Sequence, residues 1–399
     1  MSKQVVQFLC IVSFVACTVT MFGQSTSIEV NNNKEVEKTI KNFVIYEDSV
    51  FYSSFPSVIK KSDGQLLVAF RRAPDRRIFG EKSNSHIDPN SYLVTVSSDN
   101  GGETWSTDPK LLYAHPFGGS QDPCMLQLRD GTILCTSYGW AVLRLQNIPN
   151  ISECVSVRSG GQASLGGYIL RSFDGGGTWE GPIYPPPIPG GMDCTPMGDP
   201  KPILNRGAMY EAKDGRIFWA VAGVKKDKSA LIGNYLFISK DRGLTWEYSC
   251  PLATDDEVVF NETSIYETPK GDLVAFLRTA NFEDQACIAR STDGGKSFKP
   301  WKSMGFQGHP LHAIRFPDNR VFLVYGYRHE PYGIRARILN SECTDYDTAK
   351  EIIIRSDGGN TDIGYPWAVM LDNNNVLVTY YFNIKNGTRQ IAGSVVKID

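Results

Sequence analysis

Ser172–Trp179 reads SFDGGGTW, and the chain repeats it: Ser239–Trp246 reads SKDRGLTW and Ser291–Phe298 reads STDGGKSF. A fourth copy, read from Ser97-Ser98-Asp99, reaches its Trp105 one residue later than the strict form. The pattern Ser-x-Asp-x-Gly-x-x-Trp describes a tight β-turn. The Asp side chain accepts from nearby backbone N–H groups, Gly takes positive φ, and the aromatic packs beneath. Four copies in one chain exceed chance. Their meaning is structural, because they staple hairpins and carry no chemistry.

Outward from these turns a second phrase recurs: an apolar strand, a turn, another apolar strand. The copies begin at Pro56 (PSVIKKSDGQLLVAF), Pro123, Gly207, Thr263, Leu311 and Pro366 (PWAVMLDNNNVLVTYY). Their turns fall at Asp63, Asp130, Asp214, Lys270, Asp318 and Asn373, spaced by 67, 84, 56, 48 and 55 residues. Each copy reads as a hairpin of Val/Ile/Leu-rich strands. Six such units of about four strands predict an all-β fold, a six-bladed β-propeller. Sustained helical periodicity and βαβ alternation are both missing, which excludes a doubly wound sheet.

The 399 residues carry 41 Lys and Arg against 43 Asp and Glu, a net charge of −2. That balance argues against nucleic-acid binding by bulk charge and offers no basic face to an anionic membrane. Hydrophobic residues at 41% suffice for a real core. The chain opens with Lys3, an apolar run from Val5 to Gly23 and a polar exit, Gln24–Ser27. This predicts a secretory signal over 1–24, a lead-in over 25–42 and the propeller over 43–399. A membrane anchor and a lipoprotein site at Cys17 are the weaker alternatives. The mature protein is expected to be secreted or periplasmic, with no membrane insertion after signal removal. Its remaining seven cysteines contain no CxxC pair, which argues against a zinc site and a disulfide framework. Cys124 and Cys135 flank one turn, as a cross-hairpin bond or, preferably, as two small buried strand residues.

In a propeller the innermost strand of each blade borders the central channel. The residue eight before each turn should stand at the channel mouth. That column holds Phe55, Asp122, Arg206, Glu262, Pro310 and Tyr365, and the fifth unit adds His309 and His312. Chain-distant segments thus deliver Asp, Arg, Glu, His and Tyr to one point, as a site for a polar, charged ligand requires. A packed aromatic, a strand-end carboxylate and surface ion pairs are the bland readings of these residues. Their shared register favours the functional one.

Asn261-Glu262, a strand and Gly turn, then Arg278, Arg335 and Tyr365 in that order resemble the sialidase (neuraminidase) superfamily, in its Asp-box branch. The resemblance runs from about Phe51 to the end. It implies a Tyr365 nucleophile, Glu262 as its base, and Arg278 and Arg335 as a carboxylate clamp. It also implies a loop acid/base, best matched by Asp88, with His86 as rival. The family's first clamp Arg is replaced by Ser54 in Ser53-Ser54-Phe55-Pro56, leaving Arg71, Arg72 or Arg206 to supply that charge. Asp122, His309 and His312 are expected to contact the sugar, and no metal or other cofactor is expected. The implied activity is retaining exo-hydrolysis of a terminal sialic or related acidic sugar from a glycan. Two alternatives stand beside it: a glycosidase or lyase for another sugar such as a uronic acid, and a non-catalytic carbohydrate-binding propeller.

Overall fold

The computed structural model describes residues 40–398, except 82–85, 156, 159, 192, 201–205, 225–231 and 386. The export segment expected over 1–24, and the lead-in as far as residue 39, lie outside the described residues.

Each predicted hairpin forms the inner half of an antiparallel sheet, and six sheets make the propeller. Their innermost strands are Phe51–Lys60, Gly119–Gln127, Tyr210–Glu211, Phe260–Glu267, Leu311–Arg315 and Gly364–Met370. The second strand of each blade is covered on both faces by the neighbouring sheets. It therefore reads as an unbroken apolar run, such as Leu66 to Phe70, in which no residue exceeds 5% exposure. The last blade is completed from the other end of the described chain. Ile40–Tyr46 pairs antiparallel with Gln390–Lys397, Ile40 facing Val396 and Val44 facing Ala392. That strand closes the ring.

The repeated turns close as their residues dictate. Asp174 Oδ1 accepts from the N–H groups of Gly177 (3.0 Å) and Thr178 (2.9 Å), and Ser172 Oγ accepts from Gly176 N–H (2.8 Å). The turns also lock neighbouring blades. Gly295 has φ +86°, and a Cβ there would stand 2.8 Å from Leu236 of the preceding blade; Gly176 and Gly243 meet Leu67 and Leu134 likewise. The structure corrects the reading of the first copy. Thr104 N–H donates to Asn100 Oδ1 and Gly102 N–H to Ser98 Oγ, so Asn100 fills the Asp position and no slip occurs. A worn fifth copy shows only in its bonds: Asn340 Oδ1 accepts from Thr344 N–H (3.1 Å).

One disulfide is present, and it joins Cys154 to Cys194, not the Cys124–Cys135 pair weighed from the sequence. It ties an excursion within the second blade, between Ile133–Val142 and Gln162–Ser172, to the segment that leads on to the third blade. Cys124 and Cys135 are free, buried thiols in adjacent strands.

Candidate active site

Five of the six column residues line one cavity of about 280 Å³: Phe55, Asp122, Arg206, Glu262 and Tyr365. The register works because the inner strands are irregular at this level. The ladder slips between Ser54 and Ser57, Gln121 and Cys124, Phe260 and Thr263, and Gly364 and Trp367. Phe55, Asp122 and Tyr365 take left-handed φ values of 57°, 37° and 55°. Each precedes a proline, which has no N–H to lose from the ladder. A bulge of this kind re-aims a side chain.

At the floor of the cavity, Tyr365 Oη donates to Glu262 Oε1 at 2.7 Å. Arg278 Nη1 donates to Glu262 Oε2 at 2.5 Å and to Tyr365 Oη at 2.8 Å. Burial pushes the Tyr365 phenol well above its ordinary range, with Glu262 adding to the rise against the pull of Arg278. Burial also pushes Glu262 up, but Arg278, the Tyr365 hydrogen bond and Arg206 outweigh it and hold the carboxyl low. Glu262 is thus ionised and in contact with the proton of a neutral phenol. The same residues fix Arg278 as a permanent cation.

Arg206 sits 4.5 Å from the Tyr365 ring centroid. Its guanidinium donates to the carbonyls of Phe55 (3.3 Å), Pro56 (2.9 Å) and Tyr365 (3.2 Å). It lines the cavity while tying the first, third and sixth blades together. Asp122 accepts from Tyr138 Oη at 2.8 Å. Burial pushes its carboxyl up to about 6, with Glu262 adding to the rise and Arg206 opposing it. His86 lines the cavity from the first-blade loop, with Nε2 3.3 Å from Asp362.

Six expected residues stand elsewhere, among them Arg72, whose guanidinium donates to Asp48 (2.6 Å) and Tyr92 Oη (2.9 Å). The Asp88 carboxylate is buried and held by Arg76 at 2.6 and 2.9 Å, so the structure makes it a loop anchor. Arg335 is turned away from the cavity. Its guanidinium stacks 4.7 Å from Tyr327 and donates to the carbonyls of Arg355 and Pro331. The cavity guanidinium of that blade is Arg328, 5.1 Å from the Tyr365 ring and bonded to Tyr381 Oη. Arg71 is wholly buried behind Phe55 and Tyr52, with its guanidinium 5.9 and 5.6 Å from their rings. His312 stacks on Trp367 and accepts from Ala368 N–H, facing the opposite end of the channel. His309 lies 3.1 Å from Asp284, outside the cavity lining.

Beyond Arg328, the sequence reading missed Tyr138, Trp140, Arg158 and Gln121. A second column carried part of that signal. Eight residues after each turn stand Arg71, Tyr138, Ala222, Arg278, Gly326 and Tyr381. These lie across the hairpin ladder from the first column, as Gln121 faces Tyr138 and Gly364 faces Tyr381.

A family model described as a BNR repeat-like domain matches residues 150–378. The chain is similar to a Dyadobacter fermentans protein of unknown function. The two are 60% identical over 90% of this chain and 99% of that one, with a TM-score of 0.87. Among sialidase structures, NanB of Streptococcus pneumoniae gives a TM-score of 0.62 at 14% identity over 89% of this chain and 70% of that one. Trypanosoma rangeli sialidase gives 0.61 at 11% identity, over 89% of this chain and 59% of that one. At those identities the likeness is one of fold. A xyloglucanase, Xgh74A of Acetivibrio thermocellus, is 28% identical over 186 residues. That match takes in 42% of this chain and spans a fifth (20%) of the xyloglucanase.

Proposed function

The chain belongs to the BNR repeat-like domain family and has a sialidase-like propeller fold; from that premise we propose an exo-glycosidase that removes a terminal carboxylate-bearing sugar with retention. One observation carries this reading. A buried phenol, Tyr365, donates at 2.7 Å to an ionised Glu262, in a cavity of monosaccharide size that also presents guanidiniums.

The chemistry follows from charge. A sugar with a carboxylate on or beside its anomeric carbon repels a carboxylate nucleophile, and a neutral phenol avoids that repulsion; sialidases use a Tyr for this step. Tyr365 attacks the anomeric carbon as its proton passes to Glu262 along the existing hydrogen bond. Arg278 stabilises the charge that develops on the phenol oxygen, from 2.8 Å. Nη2 of Arg278 and Nη1 of Arg328 make no hydrogen bond with the described residues, and these donors would take the substrate carboxylate. Trp140, with Arg158 stacked 4.7 Å from its ring, offers an apolar face at the cavity wall. The disulfide suits an oxidising compartment, in line with export through the segment at 1–24.

Ser54 at the position of the family's first Arg leaves a lighter clamp and favours a second substrate class, a sugar whose carboxylate lies away from the anomeric carbon. A uronic acid is such a sugar, with its carboxylate across the ring oxygen from the reacting centre. A panel of chromogenic sialosides, uronosides and neutral glycosides separates the two. Tyr365→Phe and Glu262→Gln are expected to abolish turnover of the accepted glycoside without loss of fold by circular dichroism. Full activity in either variant would refute the assignment. Glycan binding without any cleavage would make the protein a lectin.

A further inference from the structure

Among the described residues two carboxyl groups line the cavity, and the fold treats them oppositely. Both Glu262 oxygens are engaged, by Tyr365 and Arg278. Asp122 is only 2% exposed, with Oδ2 bound by Tyr138. Its Oδ1 has no hydrogen-bond partner among the described residues. A buried carboxylate oxygen left alone is costly; a proton on it, offered to a ligand atom, removes that cost. The side chain is also presented deliberately. Asp122 holds left-handed φ in a bulge opposite Tyr138, a strained arrangement that clusters at functional sites.

We propose that Asp122 is the proton carrier of the reaction, the acid for the leaving group and then the base for water. This rests on the glycosidase reading above and fills the role that Asp88 cannot take, because Arg76 holds Asp88. In the first step Tyr365 Oη bonds to the anomeric carbon and its proton goes to Glu262. The bond from that carbon to the leaving oxygen breaks, its electron pair stays on that oxygen, and Asp122 supplies the proton. In the second step Asp122 takes a proton from water as the water oxygen bonds to the anomeric carbon. The bond to Tyr365 breaks, and the phenol recovers its proton from Glu262. Glycoside and water become free sugar and alcohol, and both carboxyls end as they began.

The surroundings fit that cycle. Burial raises Asp122 most; Arg206 opposes the rise, Glu262 adds to it, and Tyr138 and Arg71 oppose it. Those groups face it from the first four blades. One carboxyl stays ionised while its neighbour takes up a proton near pH 6, the split that marks an acid and a base in one site.

The test uses the full-length protein, its accepted glycoside, and leaving groups ranging from an alkyl alcohol to an activated phenol. Asp122→Asn should lose about 10²–10⁴-fold on the alkyl glycoside, far less on the activated one, together with the basic limb of kcat/KM. Tyr138→Phe should move that limb to higher pH, because the lost hydrogen bond stabilised the carboxylate. A folded Asp122→Asn that keeps alkyl-glycoside turnover overturns the proposal. So does a loss equal for all leaving groups with the basic limb intact. If Asp122→Asn does not fold, an unmoved limb in Tyr138→Phe decides against it. Wild-type protein that cleaves no glycoside removes the glycosidase reading and this proposal together. Wild-type cleavage with an unaltered Asp122→Asn profile removes this proposal alone.

Discussion

Tyr365, Asp122 and Phe55 owe their placement to one local device, a left-handed residue before proline in a bulged inner strand. Such residues are strained by about 1–3 kcal/mol each, and here the surrounding sheets hold them. Counting back from the hairpin turns found them because the bulge sits at the same distance from each turn. The count failed where a side chain's direction depends on something other than register. Arg335 faces Tyr325 across the ladder, and its guanidinium turns onto Tyr327 and the carbonyls of Pro331 and Arg355 in its own blade. Arg328 stands past the last paired residue, Tyr327, where no periodicity applies. The distinction is measurable. Arg328→Ala should raise KM about 10- to 100-fold, the loss of one charge-assisted contact of about 1.5–3 kcal/mol. Arg335→Ala should leave KM near wild type and lower the melting temperature, because it strips a buried guanidinium from the carbonyls it ties. The reverse pattern would restore Arg335 to the clamp.

At the scale of elements, the turns were the most legible feature. Their bonds are local, so residue identity alone dictates them. Even there, Asn100 and Asn340 take the motif's Asp position and escaped the reading, since an amide oxygen accepts the same N–H bonds. The disulfide was illegible. Its partners lie 40 residues apart on irregular excursions, and no turn spacing relates them. It anchors the excursion that carries Val157–Arg158, a short strand paired with Gln162–Ser172, to the cavity wall. Replacing both cysteines by serine should lower unfolding stability by about 2–4 kcal/mol, read from denaturant midpoints. An unchanged midpoint would show that the excursion is held by its other contacts.

For the whole molecule, six repeats gave the blade number, while the sequence left open how the ring shuts. The answer is a strand whose hydrogen bonds join Asn42 to Ser394 across 352 residues of chain. Ile45 and Tyr46 from that strand bury themselves with Phe55, Tyr365 and Trp367 in one apolar cluster. A chain beginning at Asp48 should expose Gln390–Lys397 as an unpaired edge and aggregate. Adding a peptide of residues 40–47 should restore a single monodisperse species by size exclusion. A truncated chain that melts like the intact one would mean the seam is dispensable. The ring joint also lies beside the chemistry, because Phe55 of the first blade meets Tyr365 of the last at 4.8 Å between ring centroids. A nascent polypeptide therefore owns no pocket until its final blade has been synthesised and docked. On the proposed glycosidase activity, turnover becomes an all-or-nothing report on completeness, and no proteolytic or prematurely terminated fragment should show a trace of it.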